Sequence, residues 1–226
     1  MPFTREQFFQ VFADYNAAIW PLQWGFVLLA LAAVILALGS TPNRSRAIGG
    51  ILSLLWIWMG AVYHLAFFAS VNPAARVFGA LFILAGASFA WAAARRGRLV
   101  FEPHRDAAGI AGGILIAYAL VGYPLAGLVA GPQYPAAPTF GAPCPTTIFT
   151  LGLLLWARGH VPWALVVIPL AWTLVGTSAA VALGVAEDFG LSVAGIAVVA
   201  FALARKRRGA KPALAGARLA ARRTAE

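Results

Sequence analysis

The sequence predicts an all-α membrane protein with seven transmembrane helices, its N-terminus outside the cell and its C-terminus in the cytoplasm. Composition is the first reason, since 62% of the 226 residues are hydrophobic and 11% are charged. Soluble domains are about a quarter charged and just under half apolar. Long apolar runs and the placement of the basic residues are the other two reasons. The natural solvent for such a chain is the lipid bilayer.

Apolar runs of about twenty residues, the length that crosses the hydrocarbon core, mark the predicted spans. Turn and charge signals such as Asn72-Pro73 and Glu187-Asp188 separate them. The fifth span is the weakest, because its apolar run is short. The predicted spans lie near residues 19–38, 48–70, 76–94, 107–130, 146–158, 161–184 and 188–205.

Ahead of the first span, residues 4–17 are predicted to form a short helix that lies on the membrane surface. Thr4 followed by Gln7 is a capping-box pattern. Phe8, Phe12 and Tyr15 then fall on one helical face, as in interfacial amphipathic helices.

The basic residues set the predicted orientation. If the tail is cytoplasmic and the spans number seven, 15 of the 17 Lys and Arg residues lie inside, and Arg5 and Arg76 lie outside. Without the fifth span, the basic loops and the basic tail would fall on opposite sides. We therefore divide the chain into a transmembrane domain, residues 1–205, and a basic cytoplasmic tail, residues 206–226, which we expect to be disordered.

The formal net charge of +10 does not indicate nucleic-acid binding by the folded part. Nucleic-acid-binding domains carry their basic residues across one folded face. Here these residues sit in loops and in the tail, as in cytoplasmic segments beside anionic lipid. The bilayer is the predicted partner, and a second copy of the chain or another membrane protein remains open as a further one.

Polar and ionisable groups inside a membrane are costly, so they are the candidate functional residues. At a rise of 1.5 Å per residue, His64, Cys144 and Asp188 lie roughly 24, 21 and 25 Å above the inner ends of their helices. The hydrocarbon core is about 30 Å thick, so all three are predicted to lie just below the outer surface. Asn72 is a further polar neighbour. The candidate ligand-binding residues are Tyr63, His64, Tyr123, Cys144, Thr146, Thr147, Glu187 and Asp188.

The segment before the fifth span is the most informative part of the sequence. Residues 131–143 carry four prolines and no charge, so this apolar loop cannot be a regular helix. The helix from Pro145 to Arg158 would measure about 21 Å, too short to cross. We therefore expect it to begin inside the membrane, with the loop above it as a lid. Cys144, the single cysteine, would cap that helix, where a thiolate is favoured, and the two threonines that follow would add hydroxyls.

Structural interpretations of the same residues stand beside the functional one. A free cysteine is often an inert small hydrophobe, and a histidine such as His64 in a tryptophan-rich span often bonds a backbone carbonyl. Glu187 and Asp188 have the pattern of a solvated turn followed by a helix N-cap. The functional interpretation rests on the agreement of the three depths.

Four stretches of the chain carry a resemblance to a known family. They are Met1-Pro2-Phe3-Thr4 to Trp20-Pro21, Trp58-Met59-Gly60-Ala61-Val62-Tyr63-His64, Asn72-Pro73-Ala74-Ala75, and Tyr134 through Pro143-Cys144-Pro145-Thr146-Thr147-Ile148-Phe149. On these residues the chain resembles, over nearly its whole length, an uncharacterised bacterial family of multi-pass membrane proteins, a domain of unknown function. The resemblance implies a location in the bacterial inner membrane and carries no activity.

Several familiar classes of seven-helix and enzyme proteins are excluded by composition. A retinal protein needs a lysine in its last span, and the two lysines here, Lys206 and Lys211, lie past its end. A zinc site of four Cys and His ligands is impossible with one cysteine and one histidine at membrane depth, His64. P-loop, GxSxG and HExxH patterns do not occur in the sequence.

The leading hypothesis is a small transporter or ligand-binding membrane protein with an outward-facing site. Its ligand is either a small solute or a soft or borderline metal ion held by His64, Cys144 and Asp188, and no cofactor is identified. One alternative is an intramembrane enzyme with Cys144 as nucleophile or redox thiol, His64 as base and Asp188 orienting it. Another is an accessory or structural subunit. The sequence does not choose among them, so no catalytic residue is assigned.

Overall fold

The computed structural model of the protein describes residues 2–39, 41–95, 99–159 and 161–223, and beyond Lys206 it describes the backbone alone. Helices dominate this part of the chain, and two very short strands pair with each other. The helices are α1 Arg5–Ala18, α2 Leu22–Ala37, α3 Pro42–Trp58, α4 Ala75–Ala94, α5 Ala107–Ala117, α6 Tyr123–Ala130, α7 Pro143–Leu155, α8 Val167–Leu183 and α9 Phe189–Arg223; the strands are β1 Val100–Phe101 and β2 Ala157–Arg158.

Short π-helical and 3₁₀ segments lengthen several of these helices. A π-helix, Met59–Phe67, and a 3₁₀ turn continue α3 to Ser70, and another π-helix joins α5 to α6. Among the described residues, five helical segments are therefore long and apolar enough to cross a membrane, and this fits a membrane protein. They are Pro42–Ser70, Ala75–Ala94, Ala107–Val129, Trp163–Leu183 and Ala186–Lys206.

A bent pair of helices, α1 and α2, adds a sixth segment when it is counted as one span. The two helices meet at 86°, and α2 has 16 residues. The predicted capping box at the start of α1 is confirmed, since Thr4 and Gln7 each bond the other's backbone amide. Phe8, Phe12 and Tyr15 are buried against the bundle, so the apolar face of α1 packs on protein.

The short helix α7 occupies the centre of the bundle, and all 13 of its residues are buried. It begins at Pro143, two residues earlier than predicted, and its N-cap is Ala142. Cys144 therefore lies in the first turn and does not cap the helix, which corrects the sequence-based expectation. The reason is that proline is well tolerated at the first helical position, so Pro143 takes the place expected for Pro145.

Glycines allow close helix contacts in this bundle, as small residues do in membrane proteins. A Cβ on Gly112 of α5 would lie 2.7 Å from the carbonyl oxygen of Gly152 of α7, and one on Gly152 would lie 2.9 Å from that of Gly112. Gly60 and Gly79 make the same kind of contact between the π-helix after α3 and α4, at 2.7 Å. Larger side chains at these positions would force the backbones apart.

Basic residues share one end of the bundle. There the Arg46 Nε donates to the carbonyl of Ala93 at 3.1 Å, and the Phe101 amide donates to Ser45 Oγ at 3.0 Å. Strand β1 pairs antiparallel with β2, and Glu102 forms a 3.0 Å salt bridge with Arg158. We call this the basic end and the opposite end, which carries residues 131–142, the loop end. Among the residues that the structure describes, the basic end includes Arg44, Arg46, Arg95, Arg105 and Arg158.

The basic tail continues the last helix. Helix α9 runs without interruption from Phe189 to Arg223, so the backbone of the segment expected to be disordered is helical up to that residue. The sequence of the tail is rich in alanine and arginine, both strong helix formers.

Candidate ligand-binding site

A cavity of about 140 Å³ lies at the loop end, between α1, the extension of α3, the start of α7, α8 and the turn before α9. Aromatic rings make up much of its wall, and its polar groups are a carboxyl, a thiol, an amide and hydroxyls. The aromatic lining residues are Phe3, Phe8, Phe12, Tyr63, Phe68, Phe78 and Trp172, and the polar ones beside Tyr63 are Asn72, Cys144, Ser178 and Asp188.

The turn between α8 and α9 brings Asp188 to this cavity. Gly184 ends α8 with a left-handed backbone, φ 68°, which glycine adopts without steric cost. A 3₁₀ turn over Ala186–Asp188 then reverses the chain. Asp188 is 2% exposed, and its Oδ1 accepts a 2.5 Å hydrogen bond from the phenol of Tyr123. The carboxyl is thus buried in the bundle and is not a solvated N-cap.

Cys144 reaches the same cavity from the first turn of α7. Its thiol lies beside the carboxyl of Asp188 and the indole of Trp172. Gly176 of α8 faces this group, because a Cβ built on it would lie 3.6 Å from Cys144 Sγ and 3.7 Å from Trp172 Nε1. The structure therefore brings together Cys144, Asp188 and, through its hydrogen bond, Tyr123.

Glu187 is equally buried but points elsewhere. Its side chain is 1% exposed, and both carboxyl oxygens lack a hydrogen-bond partner among the described residues. Cβ atoms on Gly127 and Gly131 would lie 3.5 and 3.2 Å from Oε1, so the carboxyl packs against the end of α6. Its backbone carbonyl accepts a 2.7 Å bond from the phenol of Tyr118, which anchors the turn that carries Asp188.

His64 lies outside the cavity, in an aromatic enclosure. Its ring centroid is 4.6 Å from that of Phe82 and 5.1 Å from that of Trp172. The side chain is fully buried, and neither ring nitrogen has a hydrogen-bond partner in the described part of the chain. It therefore does not bond the thiol of Cys144, as a catalytic base would. It also does not bond a backbone carbonyl, as the structural interpretation expected.

The predicted metal set of His64, Cys144 and Asp188 does not form. Across residues 2–39, 41–95, 99–159 and 161–223, no three His, Cys, Asp or Glu side chains lie close enough together to hold a metal ion. The physical reason is that a similar depth does not place residues side by side. The rings of Phe78, Phe82 and Trp172 pack around His64 and take the positions that metal ligands would need.

Of the other predicted site residues, one lines the cavity and two lie outside it. Tyr63 lines the cavity, and Thr146 and Thr147 do not. Thr146 Oγ1 accepts a 3.1 Å bond from the Gly141 amide and so closes the turn into α7. Thr147 is fully buried, and its hydroxyl has no partner among the described residues.

Helix α1, rather than the proline-rich loop, covers the cavity, and this corrects the predicted lid. Of α1, Phe8 and Phe12 line the cavity, together with the preceding Phe3. The loop is instead fastened near the C-terminal end of α1, where Asn16 Nδ2 donates to the carbonyls of Pro135 and Ala137 at 2.6 and 2.8 Å. An amphipathic helix can cover such a cavity because its apolar face packs against the protein while its polar face points away from it.

A side-chain latch holds α1 over the bundle at its N-terminal end. Arg5 Nε donates a 2.8 Å hydrogen bond to the carbonyl of Leu183, in the last turn of α8. The guanidinium also lies 5.2 Å from the ring centroid of Phe9. A cation at a helix C-terminus is favourable because the exposed carbonyls there carry partial negative charge.

Sequence reasoning missed the aromatic half of the site. Trp172 sits in the middle of a long apolar segment, whereas tryptophans in membrane proteins concentrate at the interfaces. This unusual position in the middle of an apolar segment could have identified Trp172 from the sequence. Phe8 and Phe12 were recognised as one face of α1, but a helical face does not show what it packs against.

Comparison with known sequences places the chain in a family. A family model described as "Family of unknown function (DUF6064)" matches residues 5–211. The chain belongs to the DUF6064 family. Neither a functionally curated protein nor a solved structure matches it. The family match spans the helices that form the cavity and its lining residues from Phe8 to Asp188, and the resemblance to an uncharacterised family is confirmed.

Proposed function

We propose that this member of DUF6064 is a ligand-binding protein of the bacterial inner membrane, with an outward-facing site for a small solute. The observation that carries the proposal is the cavity at Cys144 and Asp188, which α1 covers in part. Buried cavities with an apolar wall and a few convergent polar groups are the usual form of a small-molecule site. Intramembrane carboxyls are also functional-site candidates by default, because they are costly to bury.

The proposed topology has seven spans, with the loop end outside and the basic end in the cytoplasm. α2, the five long segments and α7 supply the spans, and α7 joins the loop end to the strand β2 at the basic end. Arginines gathered at one end of the bundle support this orientation, because cytoplasmic loops carry the excess of Lys and Arg. The C-terminus is then cytoplasmic, and α1 lies at the outer interface.

Binding fits the geometry better than catalysis. The catalytic pairing considered from the sequence, a Cys144 nucleophile with His64 as its base, is absent, because His64 makes no hydrogen bond to Cys144. Transport would in addition require movement of α7, because all of its residues are buried beneath the cavity. We therefore propose binding as the function of the described conformation.

The single cysteine provides a direct test, because every thiol label on this protein reports on Cys144. In right-side-out membrane vesicles, we expect slow labelling by a membrane-impermeant maleimide added outside and none by the same reagent trapped inside. The double substitution Phe8→Ala with Phe12→Ala should speed outside labelling because it thins the cover of the cavity. Gln10→Ala, on the exposed face of α1, is the matched control and should leave the rate unchanged. Labelling from the inner side, or none from either side in the double variant, would contradict the proposal.

A further inference from the structure

The charge of the proposed site is unbalanced. Glu187 and Asp188 are both buried, at 1% and 2% exposure, and neither belongs to a salt bridge among the described residues, where the pairs are His104–Asp106 and Arg158–Glu102. A buried carboxylate without a cationic partner is strongly disfavoured. Asp188, which lines the cavity, is thus a carboxyl for which the described protein supplies no counter-ion.

The walls of the cavity have the chemistry that attracts an organic cation. Seven aromatic residues line it, and neighbouring rings are in contact, as Phe12 with Tyr63 at 5.3 Å and Phe78 with Trp172 at 5.4 Å between centroids. The face of an aromatic ring carries negative charge density, and cages of such rings bind alkylammonium groups. Arg5 does not compete, since it binds the carbonyl of Leu183.

Other ligand classes fit these walls less well. An anion would meet Asp188 without a described basic side chain in the lining. Hard metal ions prefer six or more oxygen ligands, and the described residues lack even a cluster of three acidic, His or Cys groups. A neutral apolar molecule would leave the carboxyl unpaired.

One donor of the cavity has only a weak acceptor and adds a further requirement. Trp172 is 8% exposed, and its Nε1–H faces the thiol of Cys144, a poor acceptor, with no oxygen or nitrogen acceptor among the described residues. It lies beside Gly176, which also lines the cavity. A ligand with an acceptor oxygen a few atoms from its charged nitrogen would satisfy both this donor and Asp188.

We infer that the cavity binds a small amino-alcohol-type organic cation, with Asp188 as counter-ion, the aromatic rings as its cage and Trp172 Nε1 as donor to its oxygen. The inference rests on the proposed function and names the ligand class of the same site. The volume, about 140 Å³, suits such a ligand, because a protein cavity of roughly this size holds one molecule of benzene.

The charge preference of the cavity can be measured with two reagents that carry the same reactive group and opposite charges. These are 2-(trimethylammonium)ethyl and 2-sulfonatoethyl methanethiosulfonate, which both modify Cys144 and do not cross membranes. We expect the cationic reagent to react faster from outside, and Asp188→Asn to reduce the ratio of the two rates by about tenfold or more, because a unit charge at contact distance is removed. Asp14→Asn, on the exposed face of α1, removes one charge on the same side and should leave the ratio unchanged.

Protection and binding by choline complete the test. Choline should slow the labelling of Cys144 and bind the purified protein directly in equilibrium dialysis, whereas its neutral isostere 3,3-dimethylbutan-1-ol should do neither at the same concentration. Trp172→Phe keeps an aromatic ring in the cage but removes the N–H donor, so it should weaken choline several-fold more than it weakens tetramethylammonium, which lacks the oxygen. Outside labelling without charge preference and without choline protection would overturn the cation inference and leave the cavity intact. Absence of choline binding to the purified protein would overturn the inference regardless of labelling, and absence of outside labelling would count against the proposed function.

Discussion

Tyr123 and Asp188 lie 65 residues apart in sequence and are joined by a hydrogen bond of 2.5 Å from the phenol to Oδ1. Both side chains are buried, at 2% exposure each. Because the donor comes from α6 and the acceptor from the turn before α9, the bond fixes the direction of the carboxyl at the floor of the cavity. A hydrogen bond to a charged group contributes about 1.5–3 kcal/mol, so it also favours the form of Asp188 that binds a cation.

Substituting Tyr123→Phe should therefore weaken both folding and binding. We expect a loss of about 1–3 kcal/mol in the free energy of unfolding in detergent, because a buried acceptor loses its donor, and weaker choline binding. Tyr134→Phe, at an exposed tyrosine of the proline-rich loop, is the matched control and should leave both the stability and the choline binding unchanged. Equal choline affinity in the wild type and in Tyr123→Phe would argue against a positioning role for Tyr123.

Removal of the latch on α1 should open the cavity more often. Arg5→Ala deletes the hydrogen bond to Leu183, and one such bond corresponds to about a three- to tenfold change in an opening equilibrium. We expect outside labelling of Cys144 to accelerate by that factor. Arg76→Ala removes another exposed arginine on the same proposed side and should have no effect, and identical rates in both variants would contradict the latch.

Asn16 should be essential for the conformation of the proline-rich loop. Its side chain donates to Pro135 and Ala137 and accepts a 2.7 Å bond from Thr139 Oγ1. Asn16→Ala leaves these groups without a partner and should cost about 2 kcal/mol or more of stability, with faster cleavage of the loop by proteinase K added outside. Gln133→Ala, an exposed change within the same loop, should leave cleavage unchanged, and equal protection in both variants would show that Asn16 does not fasten the loop.

Close contact of α5 and α7 at Gly152 predicts a strong response to one methyl group. Gly152→Ala places a Cβ 2.9 Å from the carbonyl oxygen of Gly112, and overpacking of this kind costs typically about 1–3 kcal/mol. Gly50→Ala, in a helix position with no atom within 4 Å of the added Cβ, should be neutral or stabilising by up to about 1 kcal/mol. Thermal unfolding in detergent measures both, and a stable Gly152→Ala protein would contradict the packing.

The proposed orientation is tested with two new cysteines in a Cys144→Ala background. Gln133→Cys at the loop end should react with an impermeant maleimide in intact cells, and Asn43→Cys at the basic end should react after permeabilisation alone. Both positions are exposed, so neither result depends on opening of the bundle. The reverse pattern would invert the topology.

The amino-acid sequence alone is enough to predict the helical class, the five long apolar segments, the capping box of α1 and the short helix after the proline-rich loop. These follow from local properties, namely hydrophobicity, the spacing of prolines and the chemistry of a helix end. Counting residues along helices also assigned similar depths to Cys144 and Asp188, and the structure brings these two side chains together.

Which of these side chains meet depends on the tertiary structure. Depth fixes one coordinate, whereas the rotation of each helix and its neighbours are set by packing across the bundle. His64 shares the predicted depth of Cys144 but faces Phe82 and Trp172, and α1 rather than the loop covers the cavity. The partners of a helical face are chosen by shape and by close contacts such as Gly112 with Gly152, and these involve residues far apart in sequence.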